Sequence, residues 1–182
     1  MKTTCFLLLL MLPSSLFMAC SPKEQSNTND TATSTTIDVE KEKAAILKVL
    51  EAESAAFWNK DFEGFASCWV HEDYVRTMGW WPQGGVTVVE GWKERGSRTK
   101  AHMETSPDPN ATATQVRREN INLRIYPEVA WMTFDQYGAD TGDSLMDMAG
   151  LSRESRIFEK HNGEWKIVYV GWLLEGAKKA KK

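Results

Sequence analysis

The sequence predicts an α+β domain, with N-terminal helices packed on one curved antiparallel sheet. Three observations carry that prediction. Apolar residues recur at helical spacing from Val39 to Phe57. Four later stretches read as strands, and they are separated by turn signals. The chain has 182 residues, 42% of them hydrophobic and 26% charged, which suits one core with short appendages better than two domains.

Elements follow in chain order. A basic start at Lys2 leads into the apolar run Cys5 to Leu12 and the small residue Ala19. The run is far shorter than the ~20 residues of a membrane-spanning helix, so residues 1–19 read as an export signal. Leu16-Phe17-Met18-Ala19-Cys20 resembles the lipobox of bacterial lipoproteins, with Phe17 departing from the usual aliphatic residue. The resemblance implies that Cys20 is acylated and anchors the chain in the cell envelope, at the outer membrane facing the periplasm. Ordinary signal cleavage is the alternative. Residues 20–38, rich in Ser, Thr, Asn and Asp, bury too little to order themselves and read as a flexible tether. A domain over 39–176 and a basic tail over 177–182 complete the chain. With Cys5 removed and Cys20 lipidated, Cys68 is the one thiol left, and its neighbours Phe65, Ala66 and Trp69 suggest a small buried residue rather than a nucleophile.

The first helix starts after Asp38, and Val39, Ile46, Val49, Leu50 and Phe57 form its stripe. Glu53 projects onto the middle of that stripe, at ~100° per residue. A carboxylate there needs a partner, a cavity, or a helix rolled far enough to expose it. A short second helix runs through Phe62, Phe65, Ala66 and Trp69. Tyr74 to Met78 has strand character, and Gly79 to Gly85 reads as a loop by its glycines and proline. Thr87 and Glu90 match a capping box, predicting a third helix that carries Val88, Val89, Trp92 and Arg95. Ser106 to Asn110 breaks the chain. Strands are expected over Thr112–Ile125, Val129–Tyr137, Ser152–Lys160 and Glu164–Leu174, the last two joined by an Asn162-Gly163 hairpin turn.

Asn59-Lys60-Asp61-Phe62-Glu63 after a long helix, Val129-Ala130-Trp131, and Arg156-Ile157-Phe158 leading through Asn162-Gly163-Glu164-Trp165-Lys166 resemble the nuclear transport factor 2-like superfamily, including its polyketide-cyclase-like (SnoaL-like) branch. The resemblance spans about residues 39–174. It implies a cone-shaped fold with a small-molecule pocket between the first helix and the concave sheet face, and dimerisation through the convex face. It does not fix a reaction. Laid on the superfamily's ketosteroid isomerases, the chain has Glu53 at the oxyanion-stabilising tyrosine and Thr77 at the general base, so that mechanism lacks both of its groups. The association domain of calcium/calmodulin-dependent kinases is similar around Glu154-Ser155-Arg156. Its pocket arginines fall on Thr133, Arg156 and Trp172, leaving Arg156 alone.

On that comparison, Trp131, Thr133 and Asp135 are expected to share the concave face with Glu154, Arg156 and Trp172. Glu53 or Glu154 would act as acid or base while Arg156 orients a polar or anionic substrate; the alternative is that Arg156 neutralises a buried carboxylate in an inert ion pair. His71 and His102 have no triad partner. Eight tryptophans are many for this length. Trp58, Trp69 and Trp165 read as structural; Trp80, Trp81, Trp92, Trp131 and Trp172 are expected around the cone mouth beside Phe57, or partly on a dimer face.

The net charge of -3 argues against nucleic acid. Neither the histidine nor the cysteine spacing predicts a metal site, and no cofactor is expected. The expectation is an envelope lipoprotein that binds a small, partly apolar or aromatic molecule, probes the membrane only through its lipid, and forms a homodimer. A cofactor-independent hydrolase, isomerase or cyclase and a ligand-free dimerisation module are the alternatives.

Overall fold

A computed structural model describes residues 37–81, 84–109, 116–137 and 151–174. The signal, Cys20, most of the tether, the loop around Gly138–Gly142 and the basic tail lie outside the described residues. The first helix, α1 (Val39–Trp58), is capped by the Asp38 carboxylate, which accepts the Lys41 N–H at 3.1 Å. It buries Ile46, Leu50, Glu53 and Ala56 along one face. Lys60, at φ 62°, turns the chain. Asp61 then caps α2 (Phe62–Ser67) by accepting the Gly64 N–H at 2.9 Å, and α2 buries Phe65 and Ala66.

The next segment differs from expectation. Gly79 to Gly85 is not a loop: β1 (Arg76–Trp81) runs through Gly79 and both tryptophans, then turns back into β2 (Gly85–Glu90). A side chain at Gly79 would meet the Trp172 indole at 2.0 Å, so the glycine serves a close approach within a strand. The Thr87–Glu90 box does not open a helix either, because Val86-Thr87-Val88-Val89 is a β-branched run that pairs antiparallel with β1. Gly91, at φ 76°, makes the turn that branched residues cannot, and α3 (Gly91–Thr105) follows.

The remaining strands are β3 (Arg117–Ile125), β4 (Val129–Tyr137), β5 (Leu151–His161) and β6 (Glu164–Leu174). β4 and β6 have the bounds read from sequence. Asn162 and Gly163 both take positive φ, which closes the β5–β6 hairpin with the right twist. The six strands form one sheet in the order β2-β1-β6-β5-β4-β3. It is mixed rather than wholly antiparallel, since β1 lies parallel to β6. The helices cover the inner face, where Phe65, Phe158, Ile46, Leu50, Met132 and Ile167 are the largest fully buried side chains. α3 follows β2 and packs near β1, so the polar residues of the inner face lie beneath the helices.

Candidate functional site

Register decides which residues meet. β4 pairs with β5 so that Met132 faces Arg156 and Phe134 faces Glu154, while β6 sets Val170 against Arg156 and Trp172 against Glu154. Directly paired residues share a face. Glu154, Arg156 and Trp172 therefore lie on the inner face. Thr77, opposite Val170 in β1, joins them and is 1% exposed. Trp131 and Thr133 pair with Ile157 and Ser155 on the outer face, and Asp135 points the same way. The expected grouping of Trp131 and Thr133 with Arg156 is corrected accordingly: the register is one residue from the one anticipated, and that slip exchanges the faces.

α1 brings Glu53 inward, as its projection predicted, and leaves it 7% exposed. Its carboxylate has no hydrogen bond or ion pair among the described residues. The cation whose charge it meets is Arg95 of α3. The Arg95 guanidinium carbon sits 5.2 Å from the ring centres of both Phe65 and Trp69. Its Nε is enclosed and unpartnered. Burial pulls Arg95 below the ordinary guanidinium range; Glu53 opposes that pull and Arg156 adds to it. Sequence reasoning placed Arg95 on a helix but not in the site. The signal was present: Trp92, Arg95, Thr99 and Met103 repeat at helical spacing, so Arg95 interrupts the buried face of α3 as Glu53 does that of α1.

Glu154 and Arg156 are bound to each other. Arg156 Nη1 donates to Glu154 Oε2 at 2.6 Å, both side chains are almost fully buried, and Ser152 Oγ donates to the other Glu154 oxygen. Glu154 is thus occupied as an acceptor, and Glu53 does not belong to that pair. Arg156 also donates to the Ser155 carbonyl at 3.0 Å, and its guanidinium lies 5.6 Å from the Phe134 ring. Arg118 reaches the same ring from β3, at 5.8 Å, and ties the sheet to α1 through Glu51 at 2.6 Å and Ser54 at 2.7 Å. Among the described residues, the enclosed side-chain atoms without a partner are Trp69 Nε1, Thr77 Oγ1, Arg95 Nε and Arg156 Nε.

The expected ring of tryptophans divides three ways. Trp92 packs on Trp69 at 6.2 Å and on Phe65 at 6.4 Å, making an aromatic slab that His71 covers at 4.2 Å. Phe57 touches Phe65 at 6.0 Å and stacks on His102 at 5.6 Å, at the margin of the slab. Trp172 crosses Gly79 on the inner face, and Trp81 lies against Gly84. Trp80 and Trp131 are on the outer face, 40% and 38% exposed, and so do not line the interior. There Met78, Trp80, Val86, Thr133, Tyr169 and Leu173 border a groove of about 580 Å³. Of the expected structural tryptophans, Trp69 and Trp165 are buried, and Trp165 Nε1 donates to Glu42 at 2.6 Å. Cys68 is buried and burial raises its thiol pKa, which suits a packing role.

Helices on the inner face of a six-stranded mixed sheet, with a polar cluster between them, define the nuclear transport factor 2-like class. The sequence model of the SnoaL-like domain matches residues 46–171, and the chain belongs to that family. Solved structures share the fold at low identity. A nuclear transport factor 2-like protein of unknown function from Pseudomonas putida KT2440 is 12% identical over 75% of this chain and 88% of its own, with a TM-score of 0.57. A putative dehydratase of the same superfamily from Streptomyces avermitilis is 17% identical over 76% and 99%, at 0.56. A putative ketosteroid isomerase from Parabacteroides distasonis is 14% identical over 71% and 85%, at 0.51. No curated protein matches the chain.

Proposed function

We propose that the domain binds a small, partly apolar molecule in its interior, between α1, α3 and the inner sheet face. The observation that carries this reading is Glu53: a carboxylate held in the core with no hydrogen bond among the described residues, across from Arg95. An inert core would pair such a group or replace it, because an uncompensated buried charge is destabilising by several kcal/mol. Aromatic walls with a few convergent polar groups suit a ligand site. Native mass spectrometry of the purified protein tests it: a co-purifying small molecule is expected, its occupancy altered in Glu53→Gln. An interior that binds nothing across a diverse small-molecule panel would sink the reading.

A second reading, cofactor-independent acid–base catalysis, is favoured by the same unengaged carboxylate. Glu53 is available for proton transfer, whereas Glu154 is committed to Ser152 and Arg156. The names of the Streptomyces and Parabacteroides proteins, dehydratase and isomerase, belong to that kind of chemistry. Glu53→Gln separates the readings: turnover lost with binding kept supports catalysis, and binding changed with no turnover in the wild type supports a receptor.

Two further parts of the proposal concern context. Cys20 anchors the chain by its lipid to the envelope, tested by metabolic labelling with a fatty-acid analogue that Cys20→Ser must abolish. Two copies pair through the outer sheet face, where Val86 is 73% and Leu173 57% exposed beside Trp80 and Trp131. Trp80→Glu should shift the sedimenting mass from dimer to monomer; a wild-type monomer at micromolar concentration overturns this part.

A further inference from the structure

The interior holds three guanidiniums, Arg95, Arg118 and Arg156, and two carboxylates, Glu53 and Glu154, that only partly satisfy one another. Glu154 and Arg156 form a close pair, while Glu53 and Arg95 interact only across a gap. Arg95 has no hydrogen bond or ion pair among the described residues; its neighbours are the faces of Phe65 and Trp69. Arg156 engages its Nη1 and leaves its Nε without an acceptor. Thr77 Oγ1, two strands along the same face from Arg156, and Trp69 Nε1, in the slab under Arg95, are enclosed without partners as well. Three of these four atoms are obligate donors, and the fourth, a hydroxyl, can donate. The interior thus holds enclosed donors without acceptors, gathered next to flat apolar rings, and the Glu53 carboxylate accepts from none of them.

We infer that the interior takes an aromatic or apolar monocarboxylate, its carboxylate seated between Arg95 and Arg156 and its body against Trp92, the partly exposed ring of the aromatic slab. This inference rests on the interior-ligand reading above and names its ligand class. A carboxylate supplies two acceptor oxygens, and guanidiniums bind that planar group in their own plane. The charge count selects a monoanion. Among the enclosed side chains, Arg95, Arg118 and Arg156 stand against Glu53 and Glu154, with Glu51, the partner of Arg118, 66% exposed, so a monocarboxylate balances the interior, whereas a phosphate would leave close to -1 in an enclosed space. The Arg95 guanidinium already lies over aromatic faces, so a ligand ring can lie beside it without displacing a protein partner.

Benzoate is the carboxylate probe and indole the neutral one, each titrated into the full-length protein and read by calorimetry and tryptophan fluorescence. Benzoate is expected to saturate. Arg95→Gln should weaken it at least tenfold and leave indole unchanged, and Arg95→Lys should recover part of the loss. Glu53→Gln should tighten benzoate, since it removes the anion that competes for Arg95. Indole binding with no benzoate binding, or benzoate binding indifferent to Arg95→Gln, overturns the inference and leaves the interior-ligand reading standing. If neither probe binds, both fail. Should Arg95→Gln not fold, the wild-type indole N–H resonances decide: benzoate must shift Trp92, and shifts confined to Trp80 and Trp131 overturn the inference.

Discussion

Arg156→Met should be among the most destabilising single changes in the sheet. The Arg156 and Glu154 side chains are 8% and 6% exposed and 2.6 Å apart, so removing the cation strands a carboxylate with only the Ser152 hydroxyl as donor. Breaking a buried pair from one side costs about 3–5 kcal/mol, most of it the penalty of the unpaired charge. For a domain of this size that corresponds to a fall in Tm of roughly 10–20 °C. Glu154→Gln combined with Arg156→Met removes both charges, and burial of the replacements should bring stability to within about 1 kcal/mol of wild type. Urea unfolding of the wild type, both single variants and the double gives the coupling energy directly. An Arg156→Met loss under about 1 kcal/mol with unchanged m, or a double variant no better than the single, would refute the claim that the pair is desolvated and mutually dependent.

Three further outcomes are expected. Arg153, at 2.6 Å, and Asn120, at 2.7 Å, hold the Asp135 carboxyl below its ordinary value of 3.8. A depressed folded-state pKa gives stability present at neutral pH and lost as pH falls through that range, so Asp135→Asn should flatten the acid limb of a stability–pH curve measured by urea unfolding. Tyr74 donates to Glu159 at 2.8 Å and its pKa is pushed up to about 12, so its contribution is complete below pH 10 and lost as pH rises through 12; Tyr74→Phe should remove one late-titrating phenol from the absorbance titration at alkaline pH. Gly79→Ala should displace the Trp172 indole, lower Tm by several degrees and change the near-ultraviolet circular dichroism, whereas an unchanged aromatic spectrum contradicts the close approach.

Much of the fold was legible because its periodic segments are long. β4 and β6 follow their sequence patterns end to end, and the Asn162-Gly163 turn is specified by two residues that tolerate positive φ. Errors fell where one residue type serves two purposes. Gly79 reads as a breaker yet sits mid-strand to admit Trp172, and Thr87–Glu90 satisfies a capping pattern inside a β-branched strand. Within the site, helical projection was reliable for Glu53 because a helix fixes its own faces. Strand faces depend on pairing with a neighbour, and a one-residue difference sent Trp131 and Thr133 outward. Arg95 was missed for another reason: a cation amid aromatics on α3 reads as a surface residue until tertiary packing brings Phe65 and Trp69 beneath it.

The two ends of the sheet are unlike. β3 closes one end with Arg117, Arg118 and Glu119 in succession and a register break before Asn122, where Asn120 takes φ 53°. Charges and a bulge of that kind obstruct further strand addition. β2 at the other end offers a β-branched strand, with one charge at its last residue, Glu90, and with Val86 and Val88 open to solvent. A sheet that can be extended from one side alone can join a second copy across a two-fold axis, and after that step no free end remains. The asymmetry therefore limits edge-to-edge association to a pair and guards the molecule against fibre growth.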